Sequence, residues 1–581
     1  MASPAPAPRP TITATASTWQ SLAADKRARQ AASIPREWIL PIHRLPGPKV
    51  NEVIGFPEDE KCGLLTTGDL EVTNASIEEL LANLTSGTWT AVGVVKAFAK
   101  RAIIAHQLTN CLTEIFIEQA ITRAAELDAY YDKYGKPVGP LHGLPFSLKD
   151  QITVKGLETT MGYVSWIGEY ATENALVVDI MIEAGAVPYV RTNVPQTLMW
   201  PESFNNIFGR TSNPYNRTLT SGGSSGGEGA LIALKGSPLG IGSDIGGSVR
   251  IPANFCGIYS LRPSAHRVPY LGAKNSLIGQ DSVPSVLGPM SSSISGLKIF
   301  FQTILASEPW FRDASCIRKP WSEEEYKLTE HHNKGRVLSF GIMWDDGIVK
   351  PHPPVLRALE KVKRALVKKR HKVVEFKAVK HAEICMVAAK IWDAGALQDY
   401  TTTTSITGEP IITTMSPTPF APSTSGAPFR PGSTPSSTVS AYDYWQLNTA
   451  KQALRQEYLS AWQATSTTSG TGRPFDAILC PAASWAAPPH GKNTSVQYTM
   501  VWNVLDYPVV VLPVTRVDQR LDVRRERSEF LGAMDREVYE SYDPKMHEGS
   551  PVGIQVVGRN LEDEAVLALA EIVDEALKAD A

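Results

Sequence analysis

Two serines set in glycine-dense runs, and one lysine upstream of them, are the residues of this chain best placed to do chemistry. Ser224 and Ser225 stand among Gly222, Gly223, Gly226, Gly227 and Gly229; a second cluster, Gly246 and Gly247, leads into Ser248, 24 residues after Ser224. Glycine permits close approaches and backbone conformations that a Cβ would block. Successive free N–H groups in such loops form a concavity suited to an oxyanion. Three chemistries compete for these loops. Phosphate binding needs Gly-Lys-Ser/Thr after the first loop, or G-x-G-x-x-G between an apolar strand and a helix, and neither is present. The run Gly222-Gly223-Ser224-Ser225-Gly226 satisfies the G-x-S-x-G of a hydrolase elbow, which requires a strand directly before the serine. Here the preceding NPYNRTLT is polar and contains proline, which disfavours a central strand. The third chemistry uses both serines with a lysine base.

A serine hydroxyl is a poor nucleophile until something takes its proton. No convincing His/Asp pair accompanies these serines, which leaves lysine. In GPLHGLPFSLKD (139–150), a strand over 145–149 puts Phe146 and Leu148 on one face and Ser147 and Lys149 on the other. With an ordinary pKa near 10.4, only about one lysine amine in a few thousand is neutral at pH 7. Burial can lower that pKa by several units and make the amine a base. A surface lysine capping a strand is the alternative that this segment leaves open.

The elements that must hold these residues read as an α/β chain. Ser76 and Glu79 have capping-box spacing ahead of Leu80, Leu81 and Leu84. A second helix carries Val94, Val95 and Phe98 on one face, and a third spans about 115–134. Short apolar runs bounded by Gly or Pro predict buried strands at 145–148, 186–190, 337–343, 477–479, 509–512 and 552–557. Helical patterns at 353–370 and 561–578 separate or follow them, so strands alternate with helices around a largely interior sheet. Residues 1–17 are rich in Pro, Ala and Thr and read as disordered. Residues 401–440 are rich in Thr, Ser and Pro, too long for a simple connection, and read as disordered or as a lid-like excursion.

Composition removes several function classes. The chain has 581 residues, is 43% hydrophobic and carries a formal net charge of −2, without the concentrated basic face that nucleic-acid or membrane-surface binding needs. Its KRAR run at 26–29 reads as a solvated helix face. The cysteines at 62, 111, 256, 316, 385 and 480 show no C-x-x-C spacing and no cluster with histidine, so they read as reduced, mostly buried thiols and no metal is expected. There is no apolar signal region, no run of eighteen apolar residues and no peroxisomal tripeptide, which points to a cytoplasmic protein without an integral membrane segment.

Together, GPLHGLPFSLKD, GGSSGGEGAL and GSDIGGSVRIPANFCG resemble the amidase signature family, including the 24-residue serine spacing. The resemblance runs from about residue 60 through TNVPQT at 192–197 to the C-terminal PVGIQVVGRNLEDEAVLALAEIVDEAL, and it is strongest to fungal acetamidase-type and fatty-acid-amide-hydrolase-type members. It implies one amidase domain over 18–581, with an N-terminal arm (18–75), a signature core (76–300) and the 401–440 excursion. Its expected frame is a large mixed central sheet flanked by helices on both faces. It further implies that Ser248 attacks the carbonyl of an amide while Ser224 relays its proton to Lys149, and that the Gly223–Ser224 peptide is cis. The N–H groups of Ile245, Gly246, Gly247 and Ser248 are implied to form an oxyanion hole, with Ser225, Asp244 and Arg250 bracing it.

Leu198, Met199 and Trp200 fall where the family lines its substrate channel and suggest an apolar acyl or aryl group, with plain core packing as the alternative. The implied reaction is hydrolysis of small aliphatic or aryl amides, and of esters or carbamates by shared chemistry, through an acyl-enzyme. It needs no cofactor and no partner but the small-molecule amide, and a homodimer is compatible with it. A glutamine-hydrolysing amidotransferase subunit and an inactive amide-binding relative are the alternatives.

Overall fold

Val-, Ile- and Leu-rich runs that stop at Gly or Pro form the strands of one large sheet, because a strand covered on both faces has no polar side to show. The computed structural model describes residues 18–332, 335–415 and 439–580, so the 1–17 segment and the middle of the 401–440 excursion (416–438) lie outside the described residues. In chain order the strands are β1 (Leu112–Ile115), β2 (Pro145–Lys149), β3 (Val187–Thr192), a two-residue pair β4 (Phe204–Asn205) and β5 (Gly209–Arg210), β6 (Leu239–Asp244), β7 (Tyr259–Arg262), β8 (Val286–Ser291), β9 (Ser339–Ile342), β10 (Lys372–Glu375), β11 (Ala477–Pro481), β12 (Val509–Arg516) and β13 (Pro551–Val557).

All but β4 and β5 join one eleven-stranded sheet in the order β1-β3-β2-β6-β8-β7-β12-β13-β11-β9-β10. The sheet is mixed. The neighbours of β2 and of β9 run parallel, whereas β8 is antiparallel to β6 and to β7, and β12 to β13. Every residue of β2, β3, β6, β8 and β13 is buried. Both faces of this part of the sheet are therefore covered. The helix Arg250–Cys256 packs on β12 and β13, and so do Pro353–Lys368 and Asp563–Lys578, which also pack on each other.

The expected helices fall close to their places: the third is Ile117–Tyr134, since Ile115 ends β1 and Phe116 is the helix N-cap. The Ser76–Glu79 capping box is made in both directions, with Glu79 N–H donating to Ser76 Oγ at 3.2 Å and Ser76 N–H to Glu79 Oε2 at 2.8 Å. In Pro353–Lys368 the buried side is Val355, Ala358, Leu359, Val362, Ala365 and Leu366, an i, i+3, i+4, i+7 stripe. Five sheet strands went unread in the sequence: β1, β6, β7, β8 and β10. Four of them are short or rich in Gly, Ser or charge, and β8 (VLGPMS) contains both Gly and Pro.

The N-terminal arm opens with the helix Trp19–Ala32. Its Lys26 is buried, not solvated, and pairs with Glu114 and Glu158. Five of the six cysteines are buried and all six are free. Among the described residues, no helix is long and apolar enough to cross a membrane.

Candidate active site

Lys149 ends β2, where the parallel partners β3 and β6 flank it on either side. The alternation holds: Phe146 and Leu148 are buried in the apolar core, while Ser147 and Lys149 face a polar interior. Lys149 is fully buried and Ser224 is 1% exposed. The Lys149 amine lies 2.7 Å from Ser224 Oγ and 2.7 Å from Ser243 Oγ, and among the described residues no carboxylate is in hydrogen-bonding contact with it. Burial pulls this amine down from the ordinary lysine value to about 7, against the opposing charges of Asp244 and Glu228. Glu228, on the helix Gly226–Ala233, is fully buried and accepts from Ser147 Oγ at 2.6 Å and Thr192 Oγ1 at 2.9 Å; burial raises its carboxyl to about 7.

Ser224 stands in a loop that leads into this helix, and its peptide bond to Gly223 is cis, as the resemblance implied. Gly223 is required by space: a Cβ there would lie 2.4 Å from the backbone nitrogen of Glu202. The two serine loops are joined by the Ser225 N–H, which donates to the Ser248 carbonyl at 3.1 Å, while Ser225 Oγ reaches the Ser243 carbonyl at 3.4 Å.

The second loop leaves the end of β6 at Asp244 and closes at the helix Arg250–Cys256. Arg250 and Asp244 form a two-pronged ion pair at 2.9 and 3.0 Å, wholly buried. Asp244 also accepts from the N–H groups of Gly247 at 2.9 Å and Val249 at 3.2 Å, and from Asn503 Nδ2 at 2.8 Å. Burial alone would raise this carboxyl, but the Arg250 guanidinium more than offsets it and holds it below the ordinary range. Gly247 has φ +131°, and a Cβ there would meet Thr499 Oγ1 at 2.2 Å. Of the N–H groups expected to face an oxyanion, that of Gly247 is thus turned to Asp244; Ile245 and Gly246 line the pocket beside Ser248.

That pocket is small and mostly apolar. The expected residues Leu198, Met199 and Trp200 all line it, joined by Ile245, Ile251, Trp392 and Val496. Ser248 is 8% exposed and opens onto it. Thr197 and Leu198 adopt left-handed backbone conformations (φ +73° and +61°), which cost non-glycine residues about 1–3 kcal/mol each and gather at ligand walls. The wall is held from behind by Gln196, which donates to Glu409 Oε2 at 3.0 Å and accepts from Ile412 N–H at 2.7 Å. The start of the 401–440 excursion therefore packs against TNVPQT. Among the described residues, no group of three or more His, Cys, Asp or Glu could hold a metal ion.

Ser243, Gln151, Glu228, Asn503, Thr499 and Trp392 went unread as site residues. Ser243 and Glu228 sit inside the glycine-rich motifs and could have been suspected from them. Trp392, Thr499 and Asn503 come from helices more than 140 residues downstream, with no local mark.

Comparison with known proteins is consistent over nearly the whole length. The amidase family model matches residues 93–567. The chain is 42% identical to an acetamidase of Aspergillus oryzae over 562 residues, covering 96% of this chain and 99% of that protein. It is 41% identical to an acetamidase of Emericella nidulans, covering 96% and 98%. Among solved structures, a fatty acid amide hydrolase superposes with a TM-score of 0.86 at 32% identity, covering 96% of this chain and 95% of that one.

Proposed function

The chain belongs to the amidase family and is an amide-hydrolysing enzyme, and from that premise we propose that it cleaves short aliphatic or aryl amides through an acyl-enzyme on Ser248. Neutral Lys149 takes the proton of Ser224, Ser224 takes that of Ser248, and Ser248 Oγ bonds to the carbonyl carbon. The carbonyl electrons become an oxyanion that accepts N–H bonds from Ile245, Gly246 and Ser248, Gly247 being held by Asp244. The proton then returns through Ser224 to the amide nitrogen, which must leave as a neutral amine or ammonia and not as an amide anion. Water repeats the sequence on the acyl-enzyme and releases the acid.

The observation that carries this reading is the 2.7 Å contact between Ser224 Oγ and a buried lysine amine that, among the described residues, has no contacting carboxylate to keep it charged. The pocket supports a small substrate: it is narrow and mostly apolar, with Ser248 in its wall. Its apolar lining offers no charged partner for the α-amino and carboxylate groups of glutamine, which disfavours an amidotransferase role. The two acetamidases at 41–42% identity point the same way. Esters share the oxyanion chemistry and are expected to turn over too.

Labelling with a fluorophosphonate, followed by peptide mapping and acetamide hydrolysis, tests this. Label on Ser248 that is lost in Ser248→Ala, together with loss of ammonia release, supports the reading. Label on Ser224 points to the elbow arrangement. Folded protein that binds amides without turning them over, and takes no label, points to an inactive relative.

A further inference from the structure

The hydrogen-bond directions around Lys149 follow from one acceptor that has no choice. Gln151, fully buried, places Nε2 2.7 Å from the carbonyl oxygen of Lys274 and 2.9 Å from the Tyr270 hydroxyl. A backbone carbonyl only accepts, so the amide NH2 faces Lys274 and Oε1 faces the other way, onto Ser243 Oγ. The far side is pinned as well: Lys274 N–H donates back to the Gln151 backbone carbonyl at 2.9 Å, and Tyr270 gives its own proton to Ser285 Oγ at 3.0 Å. Oε1 also only accepts, so Ser243 must donate to it. With its one proton committed, Ser243 can meet Lys149 only as an acceptor, at 2.7 Å. A neutral amine has two N–H bonds and one lone pair, and one N–H is now assigned.

We infer that Gln151 is a positioning residue for the proton transfer: acting through Ser243, it commits a Lys149 N–H and leaves the amine's lone pair to the Ser224 hydroxyl. The inference rests on Lys149 being the base. Without the Gln151 Oε1, the Ser243 hydroxyl is free to turn and donate to that lone pair, in competition with Ser224. The same turn disfavours the ammonium, which loses the acceptor polarised for it. The other charged groups facing Lys149, Asp244 from the end of β6 and Glu228 from the helix Gly226–Ala233, are untouched by a change at Gln151.

The test is kcat/KM for acetamide against pH in wild type, Gln151→Leu, Ser243→Ala, their double variant and Ser243→Thr, with Gln151→Met as a second side chain that cannot accept in this way. Expected is a fall in the plateau of about 10- to 100-fold, less than the 10²–10⁴ of losing an acid–base group outright, and an acid limb displaced to lower pH. Ser243→Thr, which keeps the hydroxyl, should retain the wild-type limb. The double variant should be little worse than Ser243→Ala, because both changes break one chain of contacts. Additive losses, or a lowered plateau with an unmoved limb, would overturn the inference and leave Gln151 a packing residue. Lys149→Ala measured alongside separates the two failures. Turnover surviving in it defeats the base reading, whereas its loss beside a Gln151→Leu of wild-type plateau and limb defeats only the inference.

Discussion

Arg250 and Lys149 are both wholly buried basic side chains near Asp244, yet the two sides of this site treat them in opposite ways. Arg250 has a bidentate carboxylate and three further acceptors: the Thr499 carbonyl at 2.8 Å, Gln555 Oε1 at 3.0 Å and Asn503 Oδ1 at 2.6 Å. Lys149 has two hydroxyls. Taking a charge out of water is repaid by an opposite charge and a full set of bonds, not by hydroxyls alone. Guanidinium also holds its proton under almost any condition, whereas an ammonium gives it up when buried. One side of the site is therefore a charged brace that holds the 244–250 loop, and the other is the amine proposed above as the base. What separates them is the partner supplied, not the depth of burial.

The contrast breaks most sharply at Lys149 itself. Lys149→Ala is expected to cut kcat/KM for acetamide by about 10³-fold or more, within the 10²–10⁴ typical of acid–base groups, while leaving thermal unfolding nearly unchanged. Asp244→Asn tests the opposite side: it leaves a buried guanidinium uncompensated and should cost about 3–5 kcal/mol in urea unfolding. An unchanged midpoint there would show that the loop does not depend on the ion pair.

The pH profile sharpens the comparison further. Only the neutral Lys149 amine accepts a proton, so kcat/KM should climb as pH rises through about 7. Because the Glu228 charge favours the ammonium, Glu228→Gln should move that limb to lower pH. A shift upward would mean that Glu228 does not face Lys149 as a charge. The smallest effect concerns the pocket: Trp392→Ala removes a ring that lines it within reach of Gly246, and should raise kcat/KM for butanamide relative to acetamide by about tenfold, the scale of one or two methylenes.

Much of the site was legible because its requirements are local. Glycine at 223 and 247 is demanded by a close backbone approach and by a positive φ, both properties of the residue's own position. The alternation of Phe146, Ser147, Leu148 and Lys149 follows from strand geometry alone. Helices with a strong apolar stripe, such as Pro353–Lys368, announce themselves; β6 and β8 do not, since their Gly, Ser and Pro residues are tolerated only because neighbouring strands and helices cover them.

By itself, then, the sequence determined the α/β class, the two serine loops and the lysine at the strand end, and left 198–200 open between a pocket wall and core packing. Only the tertiary structure decided that Lys149 is desolvated, that Ser243 and Gln151 direct its hydrogen bonds, that Gly247 points its N–H at Asp244, and that Trp392 helps to close the pocket. The reason is physical. A protonation state and a hydrogen-bond direction depend on every group within a few ångströms, and here those groups come from segments tens to hundreds of residues apart.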